Sequence, residues 1–186
     1  MPHMQLSRPV PRKHLHTRRI TCHGYLREDG LWDIEGAITD TKTYSFDNQD
    51  RGGVRAGEPV HEMSIRLTVD DDRVVQEAEA SSQAGPFAMC GDITPAYALL
   101  KGLRIAPGWR SAVLERLGGV KGCTHITDLL VGPLAATAYQ AVRPDRMIGR
   151  KKKPQKGKPA MLNSCHALAA DGPLAKRLWP DLHSGG

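Results

Sequence analysis

VHEMSIRLTVDDDRVVQEAEASS, residues 60–82, is the stretch that decides the fold. In residues 60–69 apolar side chains alternate with polar ones, which is the period-two pattern of a strand with one buried face. The three aspartates at 70–72 are typical of a tight turn, and residues 74–82 resume a strand-like pattern. The stretch therefore predicts an antiparallel hairpin that presents one face to a hydrophobic core.

A second hairpin is predicted just upstream. Residues 16–25 favour a strand, and Glu28-Asp29-Gly30 indicates a turn. LWDIEGAITD at 31–40 alternates again and is expected to pair back on the first strand. The glycine-rich residues 42–58 are expected to form an exposed loop before the third strand.

Helical patterns follow the strands. Thr94-Pro95 is a typical helix start, and we expect helices at about 95–101, 108–117 and 126–142, with glycines ending the first two. Strands first and helices afterwards predict an α+β fold. We expect an antiparallel sheet of about four strands, covered on one face by about three helices.

Charge and composition indicate how the chain is organised. The net charge is +6 and much of the basic excess lies in two segments near the ends. We expect a flexible basic arm at 1–15, a single α+β domain at 16–142, a basic linker at 143–160, and a C-terminal segment at 161–186 that packs back on the domain.

Several classes of partner are disfavoured by the sequence. No apolar run approaches the roughly 18 residues of a membrane span, and the first 20 residues lack the apolar stretch of a secretory signal, so we expect a cytoplasmic protein with reduced cysteines and no membrane partner. With only 5% aromatic residues and no known nucleic-acid motif, nucleic acid is an unlikely partner despite the lysine-rich linker. We expect a small-molecule substrate and a homo-oligomer.

Thiols and imidazoles are the main functional signal, because they fall where predicted elements begin or end. His61 opens the third strand, Cys90 follows the fourth, and Cys123 and His125 precede the last long helix. Such positions can meet at one edge of a sheet, and these side chains bind soft or borderline metals. The first hypothesis is therefore one zinc or iron ion bound by His61, Cys90 and Cys123, with His125 or Cys165 as a fourth ligand.

The alternative hypothesis needs no metal. A cysteine near a helix start with a histidine beside it can act as a nucleophile or an acid, as in a lyase or hydratase that acts on an organic acid or aromatic compound. The residues assigned are Cys90 or Cys123 as nucleophile or acid, His61 or His125 as base, Asp33 or Glu35 as the assisting carboxylate, and Arg66 or Lys42 as the group that binds a substrate carboxylate.

Motifs spread along most of the chain carry a resemblance to a bacterial family known only as a domain of unknown function. They are HTRRITCHGY, GLWDIEG with TDTKTY, PVHEMSIRLTVD, LKGLRIAPGW, GCTHITDLL and the C-terminal LNSCHALAADGPLAKRLWP. This resemblance implies no activity.

Residues 59–142 also resemble NifU-type iron–sulfur cluster scaffold proteins, which run strand, turn, strand, cysteine, helices, cysteine, helix. The resemblance implies a NifU-like fold and places Cys90 and Cys123 on cluster cysteines. His61 stands where those scaffolds have their first cysteine, so the implied site is a His/Cys/Cys set that suits zinc or iron as well as an iron–sulfur cluster.

Overall fold

The computed structural model describes residues 7–150, 159 and 161–184. They divide into two compact units, with the boundary between Val142 and Arg143. The first unit contains the sheet and the helices that cover it. The finer domain boundaries stay predictions, and residues 151–158 and 160 of the predicted linker lie outside the described part.

Four antiparallel strands form an open sheet in the order β1-β2-β3-β4, which confirms the two predicted hairpins. Turn residues connect β1 to β2 and β3 to β4, and the long loop at 43–58 connects β2 to β3. The strands are β1 at His16–Leu26, β2 at Trp32–Lys42, β3 at Pro59–Val69 and β4 at Val75–Ala84.

Helices follow the sheet, so the predicted α+β class is confirmed. Thr94-Pro95 begins a 3₁₀ helix, Thr94–Leu100, where an α-helix was expected. The predicted long last helix begins at Thr124 and contains one π-helical turn, Leu130–Leu134, around Pro133. The α-helices are α1 at Trp109–Leu117, α2 at Thr124–Leu129, α3 at Ala135–Ala141, α4 at Pro144–Met147 and α5 at Pro173–Leu178. The other 3₁₀ helices are Ala88–Gly91, Gly119–Lys121, His166–Leu168 and Pro180–Leu182.

The core of the first unit lies between the helices and one face of the sheet. Every second residue from Trp32 to Asp40 in β2 and from Met63 to Val69 in β3 is buried on that face, as the alternating pattern predicted. The helices contribute the other half of the core. The main buried apolar side chains are Trp32, Ile34, Ile38, Met63, Ile65, Leu67, Leu100, Val113, Leu117, Ile126, Leu129, Leu130 and Leu134.

Two glycines on the covered face let the helices approach the sheet closely. A Cβ atom at Gly36 would overlap Leu134 Cδ1, and one at Gly24 would overlap the side chain of Ala141. Since no side chain separates the layers there, the π-helical turn Leu130–Leu134 lies tightly over β2 and α3 lies tightly over β1. His125 lies in the first turn of α2, which continues directly into that π-helical turn.

Candidate functional site

Asp40 lies near the end of β2 and organises a cluster of polar residues on the covered face of the sheet. The strand register places it opposite Arg18 of β1 and opposite His61 of β3. Its side chain is only 3% exposed. A buried carboxylate is costly unless it is paired, so its partners indicate what keeps it ionised.

Arg18 is the principal partner of this carboxylate. Its Nε donates to Asp40 Oδ1 and its Nη2 to Oδ2, both at 2.8 Å, which is the two-bond geometry of a strong arginine–carboxylate pair. His16 Nε2 lies 3.2 Å from Oδ1. The hydrogen bonds and charge of Arg18 outweigh burial and lower the pKa of Asp40 to about 2. The carboxylate is therefore ionised throughout the physiological range.

Two imidazoles approach the other oxygen. His61 Nδ1 lies 3.1 Å from Asp40 Oδ2, and His125 Nε2 lies 3.6 Å from the same atom. The two rings are 3.8 Å apart between centroids and inclined by 32°. Burial lowers the pKa of His61, and burial together with the neighbouring His61 lowers the pKa of His125. Both rings are therefore neutral at pH 7 and each has one nitrogen lone pair.

Cys123 lies immediately before α2 and contacts His125. Its Sγ is 3.9 Å from His125 Nδ1, the nitrogen that faces away from Asp40. The fully buried Tyr97 holds this turn, because its hydroxyl accepts a hydrogen bond from Cys123 N at 2.9 Å and lies 3.0 Å from Cys123 O. The start of α2 is thus attached to the core by the Thr94–Leu100 helix.

Asp40, His61 and His125 form a set of metal-ligand types, with one donor atom from each within 4.8 Å of the others. The predicted ligands His61 and His125 are therefore brought together, as the sequence indicated. Among the residues that the structure describes, no cysteine belongs to this set. The carboxylate of Asp40 takes the place that the sequence hypothesis gave to thiols.

The other predicted thiol ligands are Cys90 and Cys165. Cys90 lies in the short helix Ala88–Gly91 after β4, close to Gly85. Cys165 belongs to the second unit and is exposed. Cys90 is not a member of the Asp40, His61 and His125 set found among the described residues.

Asp33, Glu35 and Arg66 share the opposite face of the sheet, the one that the described helices of the first unit leave uncovered. Arg66 Nε donates to Glu35 at 2.7 Å, and Thr68 donates to Asp33 at 2.7 Å. These residues form a surface network, separated by the sheet from the imidazoles that they were expected to assist. A groove of about 430 Å³ lies beside them.

Lys42 is nearer the cluster, directly opposite His16 in the strand register. Its Nζ donates to Tyr44 Oη at 3.0 Å and lies over the rings of Tyr44 and Phe46, 5.1 and 4.9 Å from their centroids. Its assignment as a group that binds a substrate carboxylate stays a prediction.

The sequence interpretation missed Arg18, His16 and the central role of Asp40. The signal was present in the hairpin register. If the β1–β2 turn spans residues 27–31, Asp40 must lie opposite Arg18, and the same alternation that buries the apolar residues of β2 also buries Asp40.

Comparison with known families identifies the family of this chain. It belongs to the family described as Protein of unknown function (DUF2889), which matches residues 16–140. No curated protein and no solved structure matches it. The resemblance to NifU-type scaffolds therefore stays a prediction. In the described part of the chain, no helix has both the length and the apolar character that crossing a bilayer requires.

Proposed function

We propose that the chain binds one divalent transition-metal ion, zinc or iron(II), through Asp40, His61 and His125, and uses it in a reaction on a small organic molecule. The observation that carries this proposal is the approach of two neutral imidazoles to one oxygen of a buried, permanently ionised carboxylate.

The hydrogen bonds around Asp40 support an ion at that place. Each carboxylate oxygen accepts about two hydrogen bonds. Arg18 occupies one position on each oxygen and His16 lies at the second position of Oδ1. At the second position of Oδ2, His61 Nδ1 lies at 3.1 Å and His125 Nε2 at 3.6 Å, so two nitrogens share one acceptor site. An ion there would satisfy all three groups at once.

The spacing of the donor atoms also suits a metal. Bonds of about 2.0–2.1 Å in tetrahedral geometry place ligand atoms about 3.3 Å apart. The distances from Asp40 Oδ2 to the nitrogens of His61 and His125 are 3.1 and 3.6 Å. Two histidines and one carboxylate occur both in catalytic zinc sites and in non-haem iron(II) sites.

The local charge favours catalysis over a purely structural role. Arg18 offsets the charge of Asp40, and both imidazoles are neutral, so an ion at this position would keep most of its positive charge. Three protein ligands leave at least one position open for water or substrate. Such an ion lowers the pKa of bound water and polarises a substrate oxygen. Arg18 would act by orienting the carboxylate.

The test is metal binding by the full chain. Protein treated with EDTA and titrated with Zn²⁺, or with Fe²⁺ under anaerobic conditions, should take up about one ion. His61→Ala and His125→Ala should each weaken binding by at least about tenfold, since altering even residues that only support a metal's ligands costs 10–100-fold. His23→Ala is the matched control, because His23 lies on the exposed face of the same sheet.

Cys90→Ser separates this proposal from ligation by cysteine. The Asp/His/His site predicts unchanged binding in that variant, whereas cysteine ligation predicts a loss. An absence of metal binding in the wild type, or equal binding by the wild type and His61→Ala, would contradict the proposal.

A second candidate function rests on the contact between Cys123 and His125. His125 lies between the thiol and the carboxylate. Its Nδ1 is 3.9 Å from Cys123 Sγ, and its Nε2 is 3.6 Å from Asp40 Oδ2. In a metal-free lyase or hydratase, His125 would take the thiol proton and Asp40 would stabilise the resulting imidazolium. The substrate would be an organic acid or aromatic compound.

Iodoacetamide labelling at neutral pH tests this second function. Cys123 should react faster than the exposed Cys165, and His125→Ala should abolish the difference. Labelling of Cys123 at the rate of Cys165 or slower, with no effect of His125→Ala, would exclude an activated thiol.

A further inference from the structure

β1 is a long edge strand that lacks most of the usual protection against pairing. It pairs with β2 over all 11 residues without a register shift and contains no proline. Within the described part of the chain, none of the residues 16–26 makes a backbone–backbone hydrogen bond outside this pairing, and at its first residue His16 O lies 2.9 Å from His14 Nε2. Natural sheets ordinarily interrupt or cover such an edge, because its unpaired groups attract another strand.

The opposite edge of the sheet is partly covered. Residues 102–104 run beside the start of β4, where Val75 N donates to Leu103 O and Gly102 N donates to Val75 O, both at 2.8 Å. β4 also carries the exposed Glu77 and Glu79. Of the two edges, β1 is therefore the better surface for strand pairing.

Apolar side chains are exposed along β1. Ile20, Tyr25 and Leu26 are 45%, 48% and 40% exposed. Ile20 and Leu26 lie on the covered face of the sheet, in the same row as Arg18 and Cys22, yet the helices leave them open to solvent. Their exposure indicates that this end of the apolar layer has room for a further strand.

We propose that β1 forms the interface of a homodimer, in which two copies pair antiparallel about a two-fold axis at Thr21. The two sheets would then join into one continuous sheet of eight strands. The partner is a second copy because the sequence of β1 complements itself about Thr21, and a two-fold axis closes the assembly at two chains.

On the covered face this register brings no like charges together and covers the exposed Ile20 and Leu26 with side chains of the partner. Each pair consists of a residue of one protomer and a residue of its partner. The covered-face pairs are His16 with the partner's Leu26, Arg18 with the partner's Gly24, and Ile20 with the partner's Cys22.

The exposed face fits the same axis. Thr17 lies opposite the partner's Tyr25, and Thr21 opposite the partner's Thr21, both favourable cross-strand pairs. Axes at residue 18 or 19 would place Arg18 opposite the partner's Arg18, or Arg19 opposite the partner's Arg19, which is destabilising. The axis at Thr21 is also the one that pairs all 11 residues of β1.

The dimer would also complete the candidate site, an inference that rests on the proposed function. His16 is 47% exposed and lies 3.2 Å from Asp40 Oδ1. In the dimer the partner's Leu26 covers the outer side of this imidazole. Pairing would hold β1, and with it Arg18, against Asp40. The oligomeric state itself does not depend on metal binding.

The test measures the mass of the full chain by sedimentation or light scattering over a range of concentrations, in the presence of EDTA. The wild type should be a dimer. Thr21→Lys, which places two ammonium groups on the axis, should be a monomer, and so should Ile20→Lys. Ser81→Lys is the matched control, an exposed residue on the edge strand β4, and should stay dimeric.

Circular dichroism of each variant separates dissociation from unfolding. A monomeric wild type, a wild type larger than a dimer, or a Thr21→Lys variant that remains a folded dimer would overturn the proposal. If only the proposed function is wrong, the dimer persists and metal binding is absent.

Discussion

Replacing Asp40 by asparagine removes the central negative charge with almost no change in size. In the wild type, hydrogen bonds and charge from Arg18 hold the pKa of Asp40 at about 2, compared with an ordinary value of 3.8. At about 1.4 kcal/mol for each pH unit, these surroundings stabilise the folded state by about 2 kcal/mol. Arg18 is 39% exposed, so it can turn to water when its partner is lost.

The sign of the pH dependence follows from the lowered pKa. This contribution is fully present above about pH 4, where the carboxylate is ionised in both the folded and the unfolded chain, and is lost as the pH falls through about 2. Asp40→Asn should therefore lower the free energy of unfolding by about 2 kcal/mol at pH 7, and the difference from the wild type should shrink below pH 4.

Urea unfolding in EDTA, followed by circular dichroism between pH 7 and pH 2.5, measures this difference. Glu79→Gln is a suitable control, because it breaks the ion pair between Glu79 and Arg66 at the surface. The Glu79 side chain is 78% exposed, so its loss should lower the free energy of unfolding by less than about 1 kcal/mol. Equal stability of Asp40→Asn and the wild type at pH 7, or a difference that does not change with pH, would refute the account of how the cluster is held together.

Two further predictions concern the packing of the helices and the charge of the imidazoles. Gly36→Ala should destabilise the fold by about 1–3 kcal/mol in the same urea assay, because its Cβ would overlap Leu134; wild-type stability would contradict the close contact between the layers. In an NMR titration of metal-free protein, His125 should titrate below 6.5, because burial and the neighbouring His61 disfavour its charged form, and protonation therefore destabilises the fold as the pH falls. A midpoint above 6.5 would show that the attraction of Asp40 outweighs burial.

The sheet could be predicted because alternation and turn chemistry are local signals. The predicted bounds of the four strands agree with the structure to within about two residues, and the order of strands and helices gave the fold class. The 3₁₀ form of Thr94–Leu100 was not predictable from Thr94-Pro95, which is equally compatible with an α-helical start.

The site was predicted only in part. His61 and His125 are predictable because their residue type and their places at element ends indicate metal ligands. Asp40 is not predictable as a ligand, since an aspartate on a strand is ordinarily exposed and its burial depends on register. Glu28-Asp29-Gly30 marks a turn but leaves its length open, and a slip of one residue would move Asp40 to the other face.

The cysteines were overvalued for a related reason. Their position at the end of a strand or before a helix is a local property, whereas the direction of the side chain depends on the packing around it. The Cys123 side chain contacts His125 because the Tyr97 hydroxyl holds the turn before α2. Cys90 lies beside Gly85 in a short helix, and nothing in the sequence distinguishes the two cases.

X-ray absorption at the zinc edge, on the full chain loaded with one equivalent of Zn²⁺, tests the central claim most directly. Ligation by Asp40, His61 and His125 predicts only nitrogen and oxygen neighbours at about 2.0–2.2 Å. A sulfur neighbour at about 2.3 Å, or zinc that washes out of the wild-type protein, would contradict it.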